Sequence, residues 1–246
     1  MVVNIFNLNI EKIQSNLDDI NKIFKGKNAE EILKWAYEIF GEGVILASSL
    51  GLEDQVLTDM ASKIFPRFHV FVVDTGRLHQ ETYDVLEETK EKYKISYKIF
   101  FPRFEDVETL VREHGVNAFY KSLELRHRCC GIRKVEPLKR ALKGYKAWIT
   151  GLRKAQSVTR TEMQIIEWDE MNNLIKINPL IEWTDKQVKE YIYRFDVPYN
   201  KLFDKGYTSI GCAPCTRPTK VGEHPRSGRW WWEAPEKREC GLHEKH

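Results

Sequence analysis

The chain has 246 residues, 42% of them hydrophobic and 30% charged, which is enough to bury a full core in one large domain. A formal net charge of +3 is too small to mark a nucleic-acid binder by itself, although locally clustered cations would suit a small anionic ligand. No run of about 18 apolar residues is present. The amino terminus carries Glu11, Asp18 and Asp19 in place of a basic-then-apolar leader, so the expected setting is a reducing cytoplasm without membrane attachment.

Apolar residues at Ile10, Ile13, Leu17, Ile20 and Phe24 have helical spacing, with Gly26 as a stop. Asn28 and Glu31 form a capping-box pattern ahead of a helix with Ile32, Leu33, Ala36, Ile39 and Phe40 on one face. Val44–Ala47 then reads as a buried strand, followed by a strand over Val70–Val73 and a helical face from Leu78 to Tyr93. A third strand is predicted over Ile95–Phe101, a helix around Val135–Leu142, and a fourth strand over Ala147–Thr150. Residues Ile165–Ile177, broken at Asn172 and Asn173, predict a hairpin at the sheet edge. Thr184 with Gln187 caps one more helix, running to about Phe195.

Alternating strands and helices with nearly continuous apolar strands predict an α/β fold, a parallel sheet with helices on both faces. The whole reads as one domain: a helical segment over 1–27, an α/β core over 28–195, and a loop-rich tail over 196–246.

In open parallel sheets, ligands bind at the carboxyl ends of strands, where loops and helix amino termini converge. Three such loops are polar here. Ser48–Asp54 follows the first strand and can present hydroxyls and amides to phosphate-like oxygens. Asp74, Thr75 and Gly76 follow the second and suit ribose or base, while a capped helix start is an equal alternative. Gly151, Arg153, Gln156 and Arg160 follow the fourth and suit an anion, the alternative being a solvated basic loop. Three polar loops at strand ends together predict a nucleotide site.

The five cysteines divide into two pairs and one singleton. Cys129 and Cys130 are adjacent, Cys212 and Cys215 form Cys-Ala-Pro-Cys, and Cys240 stands alone near the carboxyl terminus. Four thiolates can hold one metal centre and leave one thiol free for chemistry. Adjacent cysteines are awkward around a single tetrahedral zinc, and a larger iron–sulfur cube eases that strain; zinc and inert buried thiols are the alternatives. Arg226, Arg229, Arg238 and His243 surround Cys240 in sequence, and cationic neighbours favour thiolate. An exposed, idle thiol is the bland alternative. The run Trp230–Trp232 is expected to anchor the tail by packing.

These segments together resemble a known family. The resemblance rests on Ser-Leu-Gly-Leu-Glu-Asp at 49–54, Asp-Thr-Gly-Arg-Leu-His at 74–79, and Cys-Cys-Gly-Ile-Arg-Lys-Val-Glu-Pro-Leu at 129–138. It continues through Trp-Ile-Thr-Gly-Leu-Arg at 148–153, Gly-Cys-Ala-Pro-Cys-Thr-Arg at 211–217, Gly-Arg-Trp-Trp-Trp-Glu at 228–233 and Glu-Cys-Gly-Leu-His at 239–243. In this order the motifs are similar to those of the assimilatory sulfonucleotide reductases, specifically the iron–sulfur adenylyl-sulfate (APS) reductases.

The resemblance implies an adenine-nucleotide alpha-hydrolase-like sheet, a 4Fe–4S cluster on Cys129, Cys130, Cys212 and Cys215, and Cys240 as nucleophile. It implies thioredoxin-dependent reduction of APS to sulfite and AMP in sulfate assimilation and cysteine biosynthesis, with thioredoxin or glutaredoxin as partner. Nucleic acid and membrane are not expected as partners, and a homo-oligomer stays open. Carried onto this sequence, the substrate-binding set is Ser49, Asp54, Asp74, Thr75, Gly76, Lys134, Gly151, Arg160, Arg226, Arg229 and His243. Ser49 and its neighbouring amides are expected at the phosphate, Gly151 and the Asp74–Gly76 turn at adenosine, and Lys134, Arg226 and Arg229 at the sulfonyl group.

Leu50 and Leu52 depart from the Ser-Gly-Gly pattern of the related ATP pyrophosphatases, which argues against ATP cleavage. Gly131 stands where the reductases often have arginine, and the loop from Gln156 to Arg160 is slightly short. The alternatives are a reductase for the 3′-phosphorylated nucleotide (PAPS) or for both nucleotides, and an ATP-using PP-loop enzyme with structural zinc.

Overall fold

The computed structural model describes residues 9–156 and 162–234. They fall into two compact units. Within the described residues, the first comprises 9–71, Glu87–Tyr97, 142–156 and 162–199; the second comprises Val72–Leu86, Lys98–Ala141 and 200–234.

Strands β1 (Val44–Ser48), β2 (His69–Val73), β3 (Tyr97–Phe100), β4 (Ala147–Ile149), β5 (Ile166–Asp169) and β6 (Leu174–Ile177) form one sheet in the order β3-β2-β1-β4-β6-β5. β4 pairs in parallel with both β1 and β6, and β5 pairs antiparallel with β6. The expected hairpin exists, but only β5 occupies the edge. β6 is inserted between β4 and β5, which is why all four of its residues are buried.

In the first unit, the amino-terminal amphipathic run is two helices, α1 (Ile10–Ser15) and α2 (Leu17–Phe24). Asn16 divides them by donating its side-chain amide back to the Lys12 carbonyl, 2.8 Å away. Asn28 and Glu31 close the expected capping box on α3 (Ala29–Phe40), a feature that stabilises a helix end by about 1 kcal/mol. Thr184 and Gln187 do the same for α9 (Asp185–Arg194). Helix α4 (Leu52–Ile64) carries no simple apolar stripe because several of its polar residues are buried and hydrogen-bonded to distant parts of the chain. Gln55 donates to Thr89 and to the Pro198 carbonyl, and Asp59 accepts from Tyr93 and Tyr191.

Helix α5 (Gln80–Tyr93) begins two residues later than the sequence pattern implies. In the second unit, α6 (Phe104–His114) and α7 (Leu123–Cys130) fill a stretch with no element predicted from sequence. α7 then passes through a π-helical turn, Gly131–Val135, into α8 (Glu136–Leu142). No helix among the described residues is long and apolar enough to cross a membrane.

Candidate active site

In the second unit, two chain segments deliver the paired cysteines to one place. Ser122 caps α7 by accepting from the Leu125 amide, and the helix ends on Cys129 and Cys130. The π-helical turn that follows adds a residue to the helical circuit, a device that re-aims side chains at functional sites. The other pair sits on a 3₁₀ turn, Ala213–Cys215, with Pro214 in its first positions. Cys215 donates its amide to the Cys212 carbonyl at 3.0 Å, and the Thr216 hydroxyl donates to the same oxygen at 2.9 Å. Cys130, Cys212 and Cys215 are buried with Phe119 and Trp230, and Cys129 and Trp232 pack against them. None of the four is in a disulfide.

The surroundings of these thiols are cationic. The guanidinium groups of Arg126 and Arg229 lie 4.7 and 4.6 Å from the Trp230 ring centre, with Lys134 and Arg226 at 5.8 and 5.9 Å. Arg133 donates to the Thr75 carbonyl at 2.6 Å, and the Thr75 hydroxyl lies 3.2 Å from the Cys212 sulfur. Arg133 Nε, Arg229 Nε and Trp230 Nε1 are buried donors without a hydrogen-bond acceptor among the described residues. Burial pushes the Cys215 thiol up to about 12, reinforced by Cys212 and opposed by Lys134 and Arg229. Burial also raises the Cys129 thiol, against the pull of Arg133.

Four sulfurs, a positive shell and unpaired donors fit a multi-thiolate centre of net negative charge, whose sulfurs accept hydrogen bonds. No group of three or more His, Cys, Asp or Glu among the described residues is arranged to hold a metal ion. A four-iron cube takes each cysteine at a separate iron and so tolerates wider spacing than a single ion.

The Asp74–Arg77 turn after β2 braces the same region. Asp74 Oδ1 accepts from the Gly76 amide at 2.7 Å and the Tyr83 hydroxyl at 3.1 Å, a local side-chain turn. The Arg77 carbonyl accepts from the Ala213 amide at 2.8 Å, which ties this turn to the Cys212 segment. Gly211, one residue before Cys212, leaves room for the Arg229 guanidinium. A Cβ there would stand 2.9 Å from Nη1 and overlap the rest of the group.

In the first unit, the turn from β1 into α4 is closed by its own side chains. Asp54 accepts from the Ser49 amide at 2.7 Å and the Ser49 hydroxyl at 2.6 Å, and the Leu50 amide donates to Ser48 Oγ at 3.2 Å. Leu50 holds φ at +60°, a left-handed conformation costing roughly 1–2 kcal/mol for a non-glycine residue. Its fully buried side chain offsets that cost.

The Gly151 amide also hydrogen-bonds Asp54, and a Cβ on Gly151 would overlap the Asp54 carboxylate and sit 2.8 Å from Glu53 Cβ. Arg153, itself buried, donates to Glu53 at 2.8 Å and to Asp185 and the Trp183 carbonyl. Burial raises the Asp54 carboxyl from 3.8 to about 6, the Ser49 and Gly151 hydrogen bonds opposing it and Glu53 adding to it.

The structure thus brings Asp74, Thr75, Gly76, Lys134, Arg226 and Arg229 into the unit that holds the four cysteines, and gathers Ser49, Asp54 and Gly151 in the other. Arg160, Cys240 and His243 lie outside the described residues. Sequence reasoning missed Arg126, Glu233 and Arg133. The available signal for Arg126 was its place four residues before Cys130 on a helix, which puts both on one face.

Comparison with known proteins identifies the family. A family model described as the phosphoadenosine phosphosulfate reductase domain matches residues 43–218. The chain is 47% identical over 204 residues to adenosine 5′-phosphosulfate reductase of Allochromatium vinosum, covering 83% of this chain and 80% of that protein. It is 50% identical over 201 residues to the enzyme of the same name from Burkholderia cepacia, covering 81% and 80%. A solved phosphoadenylyl-sulfate (PAPS) reductase from Candida auris superposes with a TM-score of 0.72 at 34% identity, over 86% of this chain and 98% of that one. An FMN adenylyltransferase from Candida glabrata shares the fold alone, with a TM-score of 0.55 at 14% identity over 96% of this chain and 86% of that one. The mostly parallel sheet is accordingly of the adenine-nucleotide alpha-hydrolase type, and the chain belongs to the phosphoadenosine phosphosulfate reductase family as an oxidoreductase acting on a sulfur group.

Proposed function

We propose that this enzyme reduces adenylyl sulfate to sulfite and AMP, with Cys240 as nucleophile and a thioredoxin-type dithiol as electron donor. The observation that carries the reading is the gathering of both cysteine pairs in one buried, cationic shell. The curated relatives named above are adenosine 5′-phosphosulfate reductases at close to half identity, which favours APS over the 3′-phosphorylated nucleotide.

In the proposed reaction, the Cys240 thiolate attacks the sulfonyl sulfur. The bond from that sulfur to the bridging phosphate oxygen breaks, and AMP leaves, giving S-sulfocysteine. A dithiol then attacks the Cys240 sulfur and sulfite departs with the electron pair of the sulfur–sulfur bond. The second donor thiol resolves the mixed disulfide, so two electrons come from the donor. Lys134, Arg226 and Arg229 are assigned to the sulfonyl oxygens, where one well-placed donor lowers the barrier by ~3 kcal/mol.

The Asp74–Gly76 turn and Gly151 are assigned to adenosine, and Ser49 to phosphate, an assignment in which its hydroxyl, donated to Asp54 in this structure, turns to the ligand. Arg160 and His243 are further anion contacts in the same reading. Cys129, Cys130, Cys212 and Cys215 would hold a 4Fe–4S cluster, which supplies a fixed charge centre beside Lys134. We place the reaction in sulfate assimilation in the cytoplasm.

The test is intact-protein mass spectrometry after anaerobic incubation with APS, and separately with PAPS, without reductant. The expected result is a single sulfonate adduct formed faster with APS, lost on adding thioredoxin and absent in Cys240→Ser. A faster adduct from PAPS would transfer the reading to that nucleotide. No adduct with either, from protein holding its full iron, would refute the covalent route.

A further inference from the structure

We propose that Arg126 is a positioning residue for the Cys130 sulfur and that Glu233 sets how much of its charge that sulfur feels; the inference rests on the iron–sulfur reading above. Arg126 lies one helical turn before Cys130 in α7 and is completely buried, at 0% exposure. A buried guanidinium is tolerable only when its donors are met.

Two of them are met by Glu233. Arg126 Nε donates to one carboxylate oxygen at 3.0 Å and Nη2 to the other at 2.9 Å, a bidentate fork. The guanidinium carbon also lies 4.7 Å from the Trp230 ring centre, and the group hydrogen-bonds the Cys130 side chain. Glu233 is held in reach by a bend in its own segment. Trp230 takes a positive φ of +42°, and the Glu233 amide donates to the Trp230 carbonyl at 2.9 Å.

Neither residue belongs to the four thiols or to the cations assigned to substrate. A purely structural pair would need only each other, and hydrophobic residues of similar volume would serve the fold as well. The third contact, to Cys130, gives the pair a chemical consequence. The carboxylate and the sulfur compete for one cation, so the charge at Cys130 depends on Glu233. Hydrogen bonds and charges beside a cluster sulfur set its stability and reduction potential.

The experiment compares the full chain, reconstituted anaerobically with iron and sulfide, as wild type, Glu233→Gln, Arg126→Gln and Arg126→Lys. It reads iron per chain, the rate of iron loss to a chelator, and the midpoint potential of the centre. Glu233→Gln leaves the cation facing the sulfur and is expected to shift the potential upward. Arg126→Gln leaves a buried carboxylate there and is expected to shift it downward, with iron loss on the order of tenfold faster. Arg126→Lys is expected to recover part of both effects.

Shifts of the same sign in the two glutamine variants, or none, in protein with full iron would overturn the inference and leave the proposed function standing. If Arg126→Gln does not hold iron, the direction of the Glu233→Gln shift decides alone. A wild-type chain that takes up no iron would overturn the cluster reading itself, and this inference with it.

Discussion

Asp54→Asn is expected to flatten the pH dependence of stability on the alkaline side of pH 5. Asp54 is buried and its carboxyl is raised from 3.8 to about 6 because burial disfavours the charged form. Between those values the folded chain holds a proton that the unfolded chain releases. Stability from this group is therefore present below pH ~4 and lost as pH rises through about 6. The rise corresponds to about 3 kcal/mol at neutral pH, and roughly 1.4 kcal/mol of it falls between pH 5 and pH 7.5.

Asparagine does not titrate, so its variant lacks this component. Its carbonyl can still accept from Ser49, while its amide group faces the Gly151 amide and forfeits a hydrogen bond of about 1 kcal/mol. The assay is urea unfolding of both proteins across that pH range, taking the difference at each pH so that other groups cancel. The expected difference drifts by roughly 1.4 kcal/mol in favour of the variant as pH rises. Parallel profiles would refute the claim that Asp54 carries its charge at a burial cost.

Gly151→Ala forces a methyl into the Asp54 carboxylate and is expected to cost about 1–3 kcal/mol, read as a lower urea midpoint. An unchanged midpoint would mean the turn yields to the added methyl and is not tightly packed. Cys212→Ala removes one of the four gathered thiols and is expected to lose most bound iron, measured as iron per chain and by the visible absorption band. Gly211→Ala displaces the Arg229 guanidinium and is expected to lower kcat/KM by up to about 100-fold while iron is retained. Full activity would remove Arg229 from the catalytic assignment.

Local chemistry made much of this fold legible. The Asn28 and Thr184 capping boxes, the apolar strands Val44–Ala47 and Val70–Val73, and the Asn172–Asn173 break are signals carried by residues a few positions apart. Helix α4 escaped because its buried face is defined by partners far along the chain. The polar Gln55 and Asp59 are buried only because Thr89, Tyr93, Pro198 and Tyr191 arrive to meet them. The same split holds at the site. The grouping of the cysteines into pairs is a fact of spacing, and so is the strand-end position of Ser49, Asp74 and Gly151.

What the sequence determined by itself was the chemical inventory: two pairs of cysteines, cations near them, and polar turns at strand ends. Tertiary structure alone decided how those groups are wired. Ser49 spends its amide and hydroxyl on Asp54, Leu50 takes a left-handed backbone under a buried side chain, and Arg126 reaches Glu233 across 107 positions of sequence. Spacing and periodicity report only what neighbours impose on one another. The charge on a buried group depends on which distant residues close around it, and that is fixed only when the chain has folded.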